Sequence, residues 1–523
     1  MGKSVRKYRK SREYEYAAPP ETASAYAIHD GQDTTHGAAD YDPEDLLSSP
    51  REFVPLEKLA PGDSSPLHVV ALLVAGGVGS TVLAAPFVFL EGGFVMTCFM
   101  VAFVALASGA FSVCLVQLGV TNGIYSLPGL AKLAFGTAGA NAVGMTQLAV
   151  SCGLVLTYLA IIFQDLPVLL GHALHLEFDA SGWPKESSAA YALVSKVVAN
   201  RTLFAELFAF LVAIPLCLVL HSHRRAQDLV LAATLLLGIT SLCVVGKAKQ
   251  FHEDSAPSAS RGFARDYLAV PATLCQAFGI LSTQFASQHH VFHAFYAMRD
   301  RSVAAFAKLV LAATLVSVYL VYAFGIGGYV SFLSGTKADV TRNIDFRGDN
   351  RSLLPFWLAM PLCALFCIPL EVPVFLSRVR SERAAQEEVL FRSQPPTRQQ
   401  YTISTTEASE SSIPLGDESI RKNGIQSSYT RLQVAATFLV LALLVQVVAH
   451  SKAANIGTML SVTGGIAGIA LVFIVPAACC AKFAIASDSN DHSRLTSCLL
   501  WGSIALGVVA AIACVVSVVV QRG

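Results

Sequence analysis

Residues 75–86 read AGGVGSTVLAAP and lie inside the first long apolar run of the chain, which spans 68–90. A helix in hydrocarbon normally satisfies its backbone groups internally. Gly76, Gly77 and Gly79, followed by Ser80, Thr81 and Pro86, therefore predict an interruption. Small residues also let neighbouring helices approach closely, and a glycine cluster taken alone is explained that way. Reading the stretch as a site requires a matching feature elsewhere in the chain.

The surrounding chain has 523 residues, 54% hydrophobic and 14% charged, whereas a soluble protein carries about a quarter of its residues as charged types. This is the composition of a multi-pass membrane protein. A net charge of +1 without a basic stripe gives no field for nucleic acid. All twelve cysteines fall in apolar runs, none in a polar loop where a disulfide framework or zinc site would form, so they read as small packing residues. No cofactor is expected.

From residue 68 onward about eleven apolar runs occur, near 68–90, 94–118, 138–163, 203–221, 227–246, 269–297, 303–333, 353–377, 431–449, 453–480 and 495–520. Most reach the ~20 residues that cross a bilayer as helix. The expected fold class is all-α and multi-pass, with a membrane domain over 67–523. Residues 1–66 are polar with a basic start and read as a disordered cytosolic tail. Residues 378–430, rich in Gln, Ser, Thr and Glu, read as a disordered cytosolic loop; cytosolic regulators would meet these two segments. Basic pairs in the short connections 221–227 and 298–302 put those connections on the cytosolic side with the tail. The sequons at Asn200 and Asn350 then share the opposite face as glycosylation sites.

The sixth run, AVPATLCQAFGILSTQFASQHHVFHAFYAM at 269–298, supplies the matching feature. It opens as an ordinary helix and then passes through Gly279, Ser282, Thr283, Gln284 and Ser287. In a fold of two inverted five-helix repeats, here 67–246 and 269–480 with a last helix at 495–520, the first and sixth helices correspond. Paired interruptions there mark a site near the midplane. The broken end of one half-helix offers N–H groups to an anion, and that of the other offers carbonyls to a cation. An amino-acid zwitterion suits both. Gly77, Val78, Gly79, Ser80 and Thr81 are expected to hold the carboxylate, and the backbone at Phe285, Ala286 and Ser287 the ammonium.

These residues resemble the auxin/amino-acid permease family, within the amino acid/polyamine/organocation superfamily of LeuT-type fold. The resemblance covers about 68–520. Its first-helix motif is similar to GSTVLAAP (79–86), and its third-helix pattern to TYLAIIFQDLP (157–167), with Tyr158 and Asp165. FASQHHVFHAFYAM (285–298) is a looser match, and GYVSFLSGTKADVTRNI (328–344) and VTGGIAGIALVFIVPA (462–477) complete the order. The resemblance implies a LeuT-type 5+5 inverted repeat plus one helix, with Tyr158 among the substrate residues. Where sodium-coupled members tend to carry Asn and Thr, Ala75 and Ala359 stand. Neither offers an oxygen to a hard cation, so proton-coupled or facilitative transport is expected.

An ionisable residue inside a span is a functional candidate by default. Glu371, in IPLEVPVF, is the clearest case for a coupling proton; His290 and Asp165 are the other candidates. Asp165, Glu206, Asp228 and Lys308 also lie close to predicted span ends, where interfacial water solvates charge. His289, His290 and His293 place imidazoles on one helix, but the other pair at helical spacing, His172 and His175, lies at the opposite membrane face or in a loop. The cluster therefore reads as polar lining of a water-filled path, and no metal is expected. The expected function is secondary transport of amino acids by alternating access, with the bilayer, substrate and protons as partners, in the plasma membrane or a vacuolar or lysosomal membrane. The rival readings are a transporter-like sensor signalling through its cytosolic segments, and a membrane enzyme using the histidines.

Overall fold

The computed structural model describes residues 62, 64–178, 183–186, 192–219, 223–254, 273–343, 356–371, 443–445, 447, 456–486 and 494–522. Nearly all of the 1–66 tail, the 378–430 loop, Asn350 and most of the ninth run lie outside the described residues. Among the described residues the chain is all-helical, with no strand and two isolated bridges, Ser64 with Met298 and Phe178 with Pro184. Among the described residues six helices are long and apolar enough to cross a membrane, or up to eight when each of two bent pairs is one span.

The elements follow local signals. α1 (Pro66–Gly77) starts on a Ser65 cap that accepts from the His68 amide, with Pro66 in the first turn, where its missing N–H is not needed. α2 (Ala85–Gly92) completes the first span. α3 (Phe94–Asn122) ends on Gly123, whose φ of 64° is the left-handed cap that glycine adopts without strain. α4 (Leu127–Ala173) begins on a Ser126 cap and runs for 47 residues, bent at Gly136. The apolar run at 138–163 is only its middle; Lys132 and Gly136 before that run, and Gln164 and Asp165 after it, interrupt the apolar signal.

α5 (Ala192–Ala199) lies between the third and fourth apolar runs, and Asn200 caps α6 (Arg201–Phe208) by accepting from the Leu203 amide at 3.1 Å. A π turn leads into α7 (Ile214–Val219), and α8 (His223–Asp254) follows. α9 (Leu274–Gln284) and α10 (Val291–Ala297) are the two pieces of the sixth run. α11 (Val303–Phe332), α12 (Phe356–Glu371), α13 (Ile456–Thr463), α14 (Val475–Ala486) and α15 (Arg494–Arg522) correspond to runs seven, eight, ten and eleven.

One continuous apolar core links these helices. α1 packs against α8, α11 and α10, and α9 packs against α2, α13 and α15. The chain entering α1 is tied to the end of α10, where the Gly62 amide donates to Met298 O and the Ser64 amide to Ala297 O, at 3.2 and 3.1 Å. The two interrupted spans thus lie side by side within the core.

Candidate functional site

Between α1 and α2 the chain passes through Val78 and a 3₁₀ turn at Gly79–Ala84, and the axis bends by 53°. Gly79 has φ +40°, a conformation that L side chains rarely adopt. A β-carbon there would lie 3.0 Å from the Tyr158 hydroxyl and 3.7 Å from Cys367 Sγ, so the backbone approaches α4 and α12 as only glycine allows. The Thr81 hydroxyl turns back to donate to the Val78 carbonyl. Ser80 Oγ and the Tyr158 hydroxyl are fully buried and have no hydrogen-bond partner among the described residues.

The second interruption follows Gln284. Phe285 and Ala286 leave helical geometry, a short 3₁₀ turn covers Ser287–His290, and α10 begins. The two breaks interlock. Gln284 Nε2 donates to Thr81 O at 2.9 Å, a β-carbon on Gly77 would lie 2.7 Å from Gln284 O, and one on Gly76 would collide with the His290 ring.

Gly77, Phe285 and Ser287 line one cavity of about 20 Å³ together with Ser108, Ser112 and Gln284, room for about one water molecule. Gly79 and Tyr158 meet outside that cavity, beside Cys367, and Val78 and Ala286 are fully buried. The Phe285 carbonyl accepts from Ser108 Oγ at 2.7 Å and from the Ser287 amide at 2.9 Å, while Gln288 Nε2 donates to Ser108 Oγ at 2.9 Å. Ser108 and Gln288 are residues that sequence reasoning missed. Gln284 stood inside the interrupted run, but nothing local marks which carbonyl its side chain reaches.

The candidate ion residues separate into two clusters. Glu371, at the end of α12, is fully buried. Its Oε1 lies 3.1 Å from His290 Nε2 and its Oε2 lies 3.3 Å from His289 Nε2. Asp165 is buried too, at 3% exposure, and not solvated as its place near a run end suggests. The Thr341 hydroxyl lies 3.1 Å from Asp165 Oδ1 and 2.6 Å from Asp339 Oδ1. Arg342 donates to Gln164 Oε1 at 2.5 Å beside them. Asp228, by contrast, is exposed and lies 3.0 Å from His68. Asp339 escaped the sequence reading because it falls in a loop, where an aspartate carries no signal of burial.

The sequence profile of one family, described as transmembrane amino acid transporter protein, matches residues 62–520. The chain belongs to that family. In this transmembrane amino acid transporter the matched region takes in both interruptions, Tyr158 and both ion clusters. Among solved structures, the chain is similar to Mhp1, a nucleobase-cation-symport-1 family transporter in a closed conformation with bromovinylhydantoin bound. The identity is 10% and the TM-score 0.47, over 88% of this chain and 94% of that one. Within the transporter, Ala75 and Ala359 present only methyl groups to a buried environment, at 0% and 3% exposure.

Proposed function

We propose that this transporter moves amino acids by alternating access and holds its substrate at the breaks of the first and sixth spans. The observation that carries this reading is the group of buried polar atoms at the interlocked breaks, Ser80 Oγ, Tyr158 OH and Gln284 Oε1, that have no hydrogen-bond partner among the described residues. Buried polar groups without partners are costly, and a polar substrate would satisfy them. The Val78 N–H is engaged by Val74 O at the end of α1, so the carboxylate would meet the N–H groups of the turn that starts at Gly79, with the Ser80 and Tyr158 hydroxyls in support. The ammonium would meet Gln284 Oε1 and carbonyls of Phe285, Ala286 and Ser287. The Phe285 carbonyl shares its lone pairs with Ser108 and the Ser287 amide.

The cavity of about 20 Å³ at the second break has room for about one water molecule, so an amino acid fits there only after the helices part. Entry of substrate requires α1, α9 and α10 to tilt against α4 and α12, which is the motion that alternating access needs. The groups named recognise what all amino acids share.

A proton is the coupling ion in this reading. Asp165 and Asp339 both approach the Thr341 hydroxyl, which has one hydrogen to donate, and a proton taken up by one of the two carboxyls would satisfy the other contact. Arg342 and Lys337 are the cations beside the pair. The absence of side-chain oxygens at Ala75 and Ala359 argues in the same direction. The N-terminus faces the cytosol and Asn200 the other side of a plasma, vacuolar or lysosomal membrane.

The test is uptake by purified protein in proteoliposomes across a panel of labelled amino acids, with and without an inward proton gradient. Accumulation driven by the gradient and lost in Gly79→Val is expected. Absence of both uptake and counterflow for every amino acid would overturn the reading.

A further inference from the structure

We propose that His289, His290 and Glu371 form a binding site for a divalent transition-metal ion of the zinc class. One nitrogen from each histidine and one carboxylate oxygen all lie within 4.8 Å of one another. The closest pairs are His290 Nε2 to Glu371 Oε1 at 3.1 Å and His289 Nε2 to Glu371 Oε2 at 3.3 Å. Tetrahedral zinc with bonds of about 2.0–2.1 Å to nitrogen and oxygen places its donor atoms about 3.3–3.4 Å apart. Small shifts of three side chains therefore close the site. Two imidazoles and one carboxylate are a donor set that suits zinc and its neighbours in the first transition row, not magnesium or calcium.

The second observation is the state of His289. Its side chain has no exposed surface, yet neither ring nitrogen has a hydrogen-bond partner among the described residues, nor does Glu371 Oε2. A buried imidazole whose Nδ1 has no partner and whose Nε2 has only the 3.3 Å approach of a carboxylate oxygen is poorly satisfied, and a metal ion would engage one of the two nitrogens.

Backbone geometry builds the cluster. The 3₁₀ turn Ser287–His290 brings two consecutive histidines to one place, with ring centroids 3.9 Å apart. Gly76, lacking a β-carbon, lets the His290 ring lie against α1. Three protein ligands leave a fourth position for water or another ligand, and because all three residues are buried, a metal reaches them only when the helices part.

A bound metal would join the sixth span to α12. If these elements move against each other, as the transport reading requires, the metal holds the transporter closed. That consequence rests on the transport reading; the binding itself does not.

The experiment uses the purified full-length protein and cobalt(II) as the spectroscopic probe. Expected are one cobalt per chain with the intense visible absorption of a tetrahedral or five-coordinate site, displacement by zinc, and at least about 100-fold weaker binding in His289→Gln. Glu371→Gln and His289→Asn are parallel variants, so that a fold defect in one, seen as a changed melting temperature, leaves the others to decide. Equal binding by the folded variants, or no saturable binding by the wild type, overturns the site. Zinc should also arrest uptake by wild-type proteoliposomes, and a chelator should restore it. Saturable binding without arrest overturns the cross-linking consequence and leaves the site standing.

Discussion

Gln284 Nε2 donates to the carbonyl of Thr81 across 2.9 Å and joins two helix interruptions that are 203 residues apart in the chain. Each break frees backbone groups that a continuous helix would pair, and here one break supplies a donor to the other. Replacing Gln284 with Leu removes that donor from a buried carbonyl, at a cost of about 1–3 kcal/mol. A lower melting temperature and weaker substrate binding, read by thermal unfolding and radioligand saturation, are expected. Unchanged affinity would place Gln284 outside the site.

Gly79→Ala tests the first break more locally. At φ +40° an alanine is strained by about 1–3 kcal/mol, and its β-carbon would stand 3.0 Å from the Tyr158 hydroxyl. Uptake should fall sharply. Removing that hydroxyl with Tyr158→Phe should recover part of the stability loss, because the two residues share one contact and their effects are not additive. Strict additivity in the double-mutant cycle would show that Gly79 is needed for its backbone angle alone.

The Asp165–Asp339 pair predicts a pH dependence with a definite sign. Burial pushes the Asp339 carboxyl above its ordinary range, while the bond from Thr341 and the charge of Arg342 pull the other way. A carboxyl raised in the folded state binds more protons than in the unfolded chain at pH values between the two pKa values. Stability therefore falls as pH rises through that interval. Asp339→Asn should flatten this part of the melting-temperature profile and reduce proton-driven uptake.

Topology is open to a direct measurement. Asn200 is exposed and also caps α6, so Asn200→Gln would confound loss of a glycan with loss of a cap. Thr202→Ala breaks the sequon and keeps the cap. A gel shift on deglycosylation, absent in Thr202→Ala, is expected if the 200 region faces away from the cytosol.

By itself the sequence determined the class of protein, the approximate position of the membrane runs and the two interruptions. Each of these is written locally: about twenty apolar residues in a row, or glycine, serine and proline where a helix would otherwise continue. What only the tertiary structure decided is which groups meet. Glu371 reaches His290 across 81 positions, Ser108 reaches the Phe285 carbonyl across 177, and Thr341 reaches Asp165 across 176. The same histidines that read as polar lining in the sequence become a donor set once α12 brings a carboxylate to them. Hydropathy and glycine placement constrain a segment of chain, whereas ligand sets and hydrogen-bond pairings depend on distances between segments, and those are fixed only when the helices pack.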